Sequence, residues 1–158
     1  MNPLIHINKT QQLICNLIEI TDGIDDKVKL AKLQYFVDFI HYAFNNKPVS
    51  NEDIVYDKQK FGPLSVTFNT DLKTLIEKGV ISQPKKFHYQ CNHIFTNEIS
   101  EIEKKTINFV INKYGDLSYK ELSEISHKQI PYLSAPMGGI IPLFTAYSLV
   151  DEYPDYEN

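Results

Sequence analysis

At 158 residues, 42% of them hydrophobic, the chain is long enough to bury about two-thirds of its unfolded surface in one domain without staples. Its formal net charge is −4, and all 16 basic residues are lysines, with no arginine among them. That excludes arginine fingers, bidentate phosphate clamps and guanine-reading guanidinium groups, and it disfavours a nucleic-acid partner, whose affinity rests mainly on basic charge.

Thr10 is placed to cap a first helix running to about Ile20, with Leu13, Ile14, Leu17 and Ile18 at helical spacing and Asp22-Gly23 as its stop. A second helix is expected from Asp25-Asp26 to Asn45-Asn46, its leading acids suiting the positive end of the helix dipole. At about 100° per residue, Lys32 falls inside the apolar arc of this helix, between Phe36 and Ala43 on one side and Tyr35 and Phe39 on the other. Leu33, Val37, Ile40 and Phe44 widen the arc, and Gln34, Asp38, His41 and Asn45 make its only polar stripe. Such a helix is either a central core element or partly a partner surface. Pro48 ends it, Val49 to Glu52 suit a turn of helix, and Ile54-Val55-Tyr56 suits a short strand. Gly62-Pro63 reads as the opening of a third helix, with Pro63 at its first position and Gly62 in dihedrals closed to other residues. Leu64, Phe68, Leu72, Leu75 and Ile76 would be its core stripe and Gly79 its left-handed stop.

Val80-Ile81-Ser82 and Phe87-His88-Tyr89-Gln90 read as a β-hairpin, with Ile94-Phe95-Thr96 as a candidate extension. A fourth helix is expected from about Asn97 to Tyr114, ended by Gly115, with Glu101 and Glu103 as helix-start charges on a solvated face. Ser118 and Glu121 form a capping box that opens a fifth. Beyond His127, Pro131, Pro136, Gly138-Gly139 and Pro142 break the pattern repeatedly, Leu143 to Val150 suit a short last helix, and the acidic tail 151–158 is expected to fray. The fold expected is mainly α (α+β): one compact domain of five to seven helices with a small antiparallel hairpin near residues 80–96. Residues 1–25 would add an N-terminal helix packed on a domain spanning 26–150.

Recognisable catalytic motifs are missing: no GxSxG, Walker loop, GxGxxG or HExxH occurs. His88-x-x-Cys91-x-His93 is the one metal-like cluster, but a structural zinc site needs four ligands from two pairs, so we read hairpin side chains and expect no cofactor. Ser126 and His127 are adjacent and so point about 100° apart on a helix, which favours a helix-end histidine bonded to backbone over a nucleophile and base. Lys32 has two readings: a stem laid on apolar surface with the ammonium in water, or a buried ion pair with a carboxylate. Tyr35, Phe39 and Tyr42 form one aromatic edge of the same helix, suited to core or to interface anchors. Cys15 and Cys91 are lone thiols, which suits a reducing cytoplasm. MNPLIHINKT lacks a signal peptide's basic n-region, and no apolar run approaches the ~20 residues of a membrane span. A soluble cytosolic protein is expected.

Ordered along the chain are Lys32-Leu33-x-Tyr35-Phe36, Lys47-Pro48, Tyr56 and Lys60-Phe61-Gly62-Pro63-Leu64. Ile99-x-Glu101-x-Glu103-Lys104, Tyr114-Gly115 and Ser118-x-x-Glu121-Leu122-x-x-x-Ser126-His127-x-x-x-Pro131-Tyr132 follow. In order and spacing this resembles the Panacea domain of bacterial antitoxins, the SocA-like or phage-associated GepA-type domain, over residues 26–150. It departs from the family at Gln34, where a branched aliphatic is usual, and at Tyr132, where a Trp is usual. The resemblance implies a non-enzymatic protein that binds and neutralises a cognate protein toxin encoded beside it, by occlusion or as an adaptor presenting the toxin to a cytosolic protease. Partner-binding candidates are Lys32, Tyr35, Phe39 and Tyr42 with the Gly62-Pro63 block and His127. The rival reading is a winged-helix-like DNA-binding transcriptional regulator built from residues 64–96, whose recognition helix would carry Asp71, Lys73, Glu77 and Lys78 and whose wing would carry Lys85, Lys86 and His88. Those helix charges cancel, leaving a weak phosphate grip.

Overall fold

A helix buried on every side is the axis of this molecule. In the computed structural model, which describes residues 3–92 and 94–157, helix α2 spans Lys27–Asn45 and every residue from Leu30 to His41 is buried. Asp26 caps it by accepting a hydrogen bond from the Lys29 amide, and Asn46 closes it in the left-handed conformation. Helix α1 (Lys9–Ile20), strand β2 (Gly62–Ser65), helices α4 (Glu101–Tyr114) and α5 (Tyr119–His127) and a 3-10 helix (Leu143–Glu152) all pack on it. Strand β1 (Tyr56–Gln59) lies between β2 and β5 (Ile140–Ile141), antiparallel to both. Helix α3 (Phe68–Glu77) leads into the hairpin β3 (Ile81–Lys85) and β4 (His88–Cys91), and the short α6 (Ile130–Leu133) follows α5. Seven helices and two small antiparallel sheets among the described residues make this the mainly helical α+β domain expected. No helix among them is long and apolar enough to cross a membrane.

Local signals set most helix starts. Ser100 with Glu103 and Ser118 with Glu121 form reciprocal capping boxes for α4 and α5, and Asn8 with Gln11 does the same for α1, two residues ahead of the expected cap at Thr10. Gly79 has φ +74° after α3, the left-handed stop expected.

Several expectations fail, each for a tertiary reason. Gly62-Pro63 does not open a helix: Lys60 and Phe61 form a two-residue loop, Gly62 pairs with Gln59 and Pro63 with Lys58, and α3 begins only at Phe68. Pro63 is tolerated because β2 is an edge strand, and the strand beside it begins at Tyr56 rather than Ile54. Residues 49–52 form no helix, because the Val49 and Ser50 amides are taken by the Asp38 carboxylate. Glu103 is not solvated; it is buried and bonded to Lys9 Nζ at 2.6 Å. The acidic tail does not fray through its described part, since Tyr153 and Tyr156 are buried, Tyr153 Oη lies 2.7 Å from Tyr114 Oη, and Tyr156 stacks on Phe44 at 4.3 Å between centroids. Asn158 and the metal-cluster residue His93 lie outside the described residues. Phe95 extends no hairpin either; it bridges in parallel to Ile5.

Candidate functional site

Lys32 and Asp38 stand six residues apart on α2, and both are buried. The Asp38 carboxylate accepts from Val49 N at 2.9 Å, Ser50 N at 2.8 Å, Ser50 Oγ at 2.6 Å and Tyr56 Oη at 2.5 Å. Burial pushes its pKa up, and these hydrogen bonds pull it only partway back. Lys32 fits neither expectation. Its ammonium is not in solvent and, among the described residues, has no carboxylate partner; Nζ donates to the Pro63 carbonyl, and burial holds its pKa down at about 7. Gly62 makes this approach feasible. It has φ +117°, and a Cβ there would stand 2.7 Å from Ser126 Oγ and 3.1 Å from Lys32 Cδ. Ser123 Oγ donates to the Phe61 carbonyl at 2.7 Å, so α5 also holds the β1–β2 loop.

A pocket of about 250 Å³ opens beside Lys32. Val28, Ala31, Leu64 and Phe68 supply most of its wall, and the half-exposed Phe61 ring also lines it.

The aromatic edge splits. Tyr35 and Phe39 are 0% exposed and sit in a ring cluster with Phe36 and Tyr56, with Tyr35 Oη donating to Gln129 Oε1 at 2.6 Å. Neither offers surface to a partner in this fold. Tyr42 is half-buried, and its ring meets that of Tyr147 at 5.4 Å. His127 stacks on Tyr132 at 4.5 Å, and its Nε2 is buried with no hydrogen-bond partner among the described residues, so it is not the backbone-bonded histidine expected. Tyr132 Oη donates to Gln59 O at 2.8 Å, which sets this stack beside the pocket that Gln59 also lines. Lys32, Gly62, Pro63 and α5 therefore converge, whereas Tyr42 lies about 15 Å further along α2, at 1.5 Å per residue.

Residues 130–150 carry apolar surface that the sequence pattern hid. Leu133, Met137, Ile140 and Phe144 are each 60–65% exposed, and Ile130, Tyr147 and Val150 are exposed as well. At three residues per 3-10 turn, Phe144, Tyr147 and Val150 fall on one row while Ala146 and Leu149 face inward. A period of three, rather than 3.6, was the available signal; the interrupting prolines and glycines obscured it.

Other chemistry is dispersed. Cys91 Sγ donates to Glu19 at 3.2 Å and His88 bonds Asp25, and no group of three or more His, Cys, Asp or Glu among the described residues is arranged to hold a metal ion. The α3 face is poor in free cations: Asp71 turns inward to Gln11 and Thr67, Lys73 lies 3.9 Å from Glu77, and Lys78 reaches the His6 carbonyl. Fold and site together define a mainly helical α+β domain with exposed apolar side chains over residues 130–150 and a mostly apolar pocket beside Lys32. The family model for antitoxin SocA-like proteins, Panacea domain, matches residues 30–131. The chain belongs to that family. Comparison with curated proteins and with solved structures returned no match. Helix α1 and the exposed row on the 3-10 helix lie outside the matched segment.

Proposed function

We propose that this protein is a cytosolic, non-catalytic antitoxin that neutralises a cognate protein toxin by direct binding, with the toxin seated on residues 130–150. The observation that carries the docking assignment is the run of large apolar side chains left exposed there, which a single buried fold does not require. Membership of an antitoxin family supports the class of partner. Phe144 and Tyr147 are the anchors, since aromatic side chains dominate interface energies, and Tyr42 joins them as the one member of the α2 aromatic edge that reaches the surface. The bound toxin is either occluded or presented to a cytosolic protease.

Co-expression with the protein encoded beside it tests the reading. A stoichiometric complex and growth rescue are expected, with Phe144→Glu losing both while unfolding at an unchanged temperature. Rescue that persists when the complex is abolished would point instead to reversal of the toxin's product or to repression of its promoter.

A further inference from the structure

The pocket beside Lys32 is mostly apolar, with Lys27, Gln59 and Asn69 as its other polar lining residues and Lys32 as a buried cation held short of partners. Its ten lining residues include Lys27 and Lys32 but no Asp or Glu. Lys32 Nζ has three N–H donors and one protein acceptor, the Pro63 carbonyl. A buried ammonium with no counter-charge is costly, and a bound anion offsets that cost. Apart from Lys27, Gln59 and Asn69, the walls from Val28, Ala31, Leu64 and Phe68, with Phe61 beside them, suit a hydrocarbon body better than a hydrated ion such as sulfate. The volume, about 250 Å³, lies below the range typical of drug-sized sites, so the occupant is small.

We infer that this pocket is a binding site for a small apolar carboxylate, its hydrocarbon part packed against Val28, Leu64, Phe61 and Phe68 and its charge neutralised by Lys32. Nothing in the site offers a covalent step; it binds and releases. The absence of a Cβ at Gly62 is part of the site, because a side chain there would crowd the Lys32 stem. Binding is coupled to protonation: the anion favours the charged form of Lys32, whose pKa burial otherwise holds at about 7. Of the elements around Lys32, β2 carries no titratable group. Helix α5 brings Tyr119, Lys120, Glu121, Glu124 and His127, the β1 hairpin Tyr56, Asp57, Lys58 and Lys60, α3 Asp71, Lys73 and Glu77, and α2 itself Lys27, Lys29, Tyr35, Asp38, His41 and Tyr42. None of these forms an ion pair with Lys32, and burial alone lowers its pKa.

The test is titration of the full chain with 3-phenylpropionate, followed by amide NMR, against the neutral isostere 3-phenylpropionamide. Chemical-shift changes are expected at Val28, Ala31, Gly62 and Phe68, with the acid binding at least about tenfold tighter than the amide near neutral pH. Because the probe's own carboxyl stays ionised, the acid's affinity should fall about tenfold or more between about pH 6 and about pH 9 as Lys32 loses its proton, while the amide's stays flat. In Lys32→Met the preference for the acid should vanish. Absence of shifts at millimolar acid, equal binding of acid and amide, or a pH-independent affinity would each overturn the assignment. The wild-type pH profile decides the matter even if Lys32→Met fails to fold.

Discussion

The two halves of α2 bury opposite charges in opposite ways. Toward the C-terminal end, Asp38 receives four hydrogen bonds and ties the 49–50 loop and β1 to the helix. Toward the N-terminal end, Lys32 has one carbonyl and a pocket. A buried carboxylate so fully surrounded by donors is a structural clamp; a buried ammonium so sparsely partnered leaves bonding capacity that a ligand can use.

That contrast makes Asp38→Ala the most damaging change, because it orphans two buried amides and two hydroxyls and removes their shared acceptor. Chemical denaturation should show a loss of about 3–5 kcal/mol. Asp38→Asn, which keeps one carbonyl acceptor, should lose less.

At the lysine end, Gly62→Val places a branched side chain at φ +117° and against Ser126 Oγ. Thermal unfolding should report a loss of about 3 kcal/mol, from strain and overpacking together. A loss of toxin binding at unchanged stability would move this residue from scaffold to contact surface.

The pH dependence of stability sharpens the comparison further. Lys32 has a folded pKa of about 7 against the ordinary 10.5, so between those values the unfolded chain binds the proton and the folded chain does not. Stability therefore rises with pH across that window, reaching its full value above the unfolded pKa and falling as pH drops toward 7. The Lys32 contribution to this rise is about 2 kcal/mol from about pH 7 to about pH 9. Denaturation curves at the two pH values should show it in the wild type and lose it in Lys32→Met.

The smallest effect is expected between the two charges, at Gln34. Gln34 is 0% exposed, and neither Oε1 nor Nε2 has a hydrogen-bond partner among the described residues. Gln34→Leu should stabilise the protein by about 1 kcal/mol in the same denaturation assay, since removing an unsatisfied buried polar group relieves its desolvation cost.

Helices α2, α4 and α5 were legible because their signals act over one turn: caps at Asp26 and Ser118, apolar spacing of 3.6, and stops at Asn46 and Gly115. The unusual position of Lys32 was legible for the same reason. Its partner was not, because the acceptor is a carbonyl 31 residues away, on a strand whose Gly-Pro opening resembles a helix start. The exposed apolar row at Phe144, Tyr147 and Val150 was missed because a 3-10 period interrupted by proline and glycine carries little amphipathic signal over ten residues.

By itself the sequence determined the helical α+β class, the extent of α2, the end of α4 and the start of α5, and the family resemblance, all of which depend on short-range periodicity and ordered motifs, whereas α3 and α4 begin about four residues later than their expected starts at Leu64 and Asn97. Only the tertiary structure decided which polar residues of α2 are buried. Gln34, Asp38 and His41 read as the polar stripe of a helix that could be core or partner surface, and each is 0% exposed, because α1, α4, α5 and the 3-10 helix surround α2 and leave no open face. Whether such a residue can be buried depends on partners arriving from elsewhere in the chain. For Asp38 they come from 11 to 18 residues away, and for His41 Nδ1 the shorter of two contacts is with Thr106 Oγ1, 65 residues away at 2.7 Å, the other being with Asn45 Nδ2 on the same helix. Contacts at that separation leave no mark on local periodicity, so the physics that sets a helix boundary is readable in one turn of chain, and the physics that satisfies a buried charge is not.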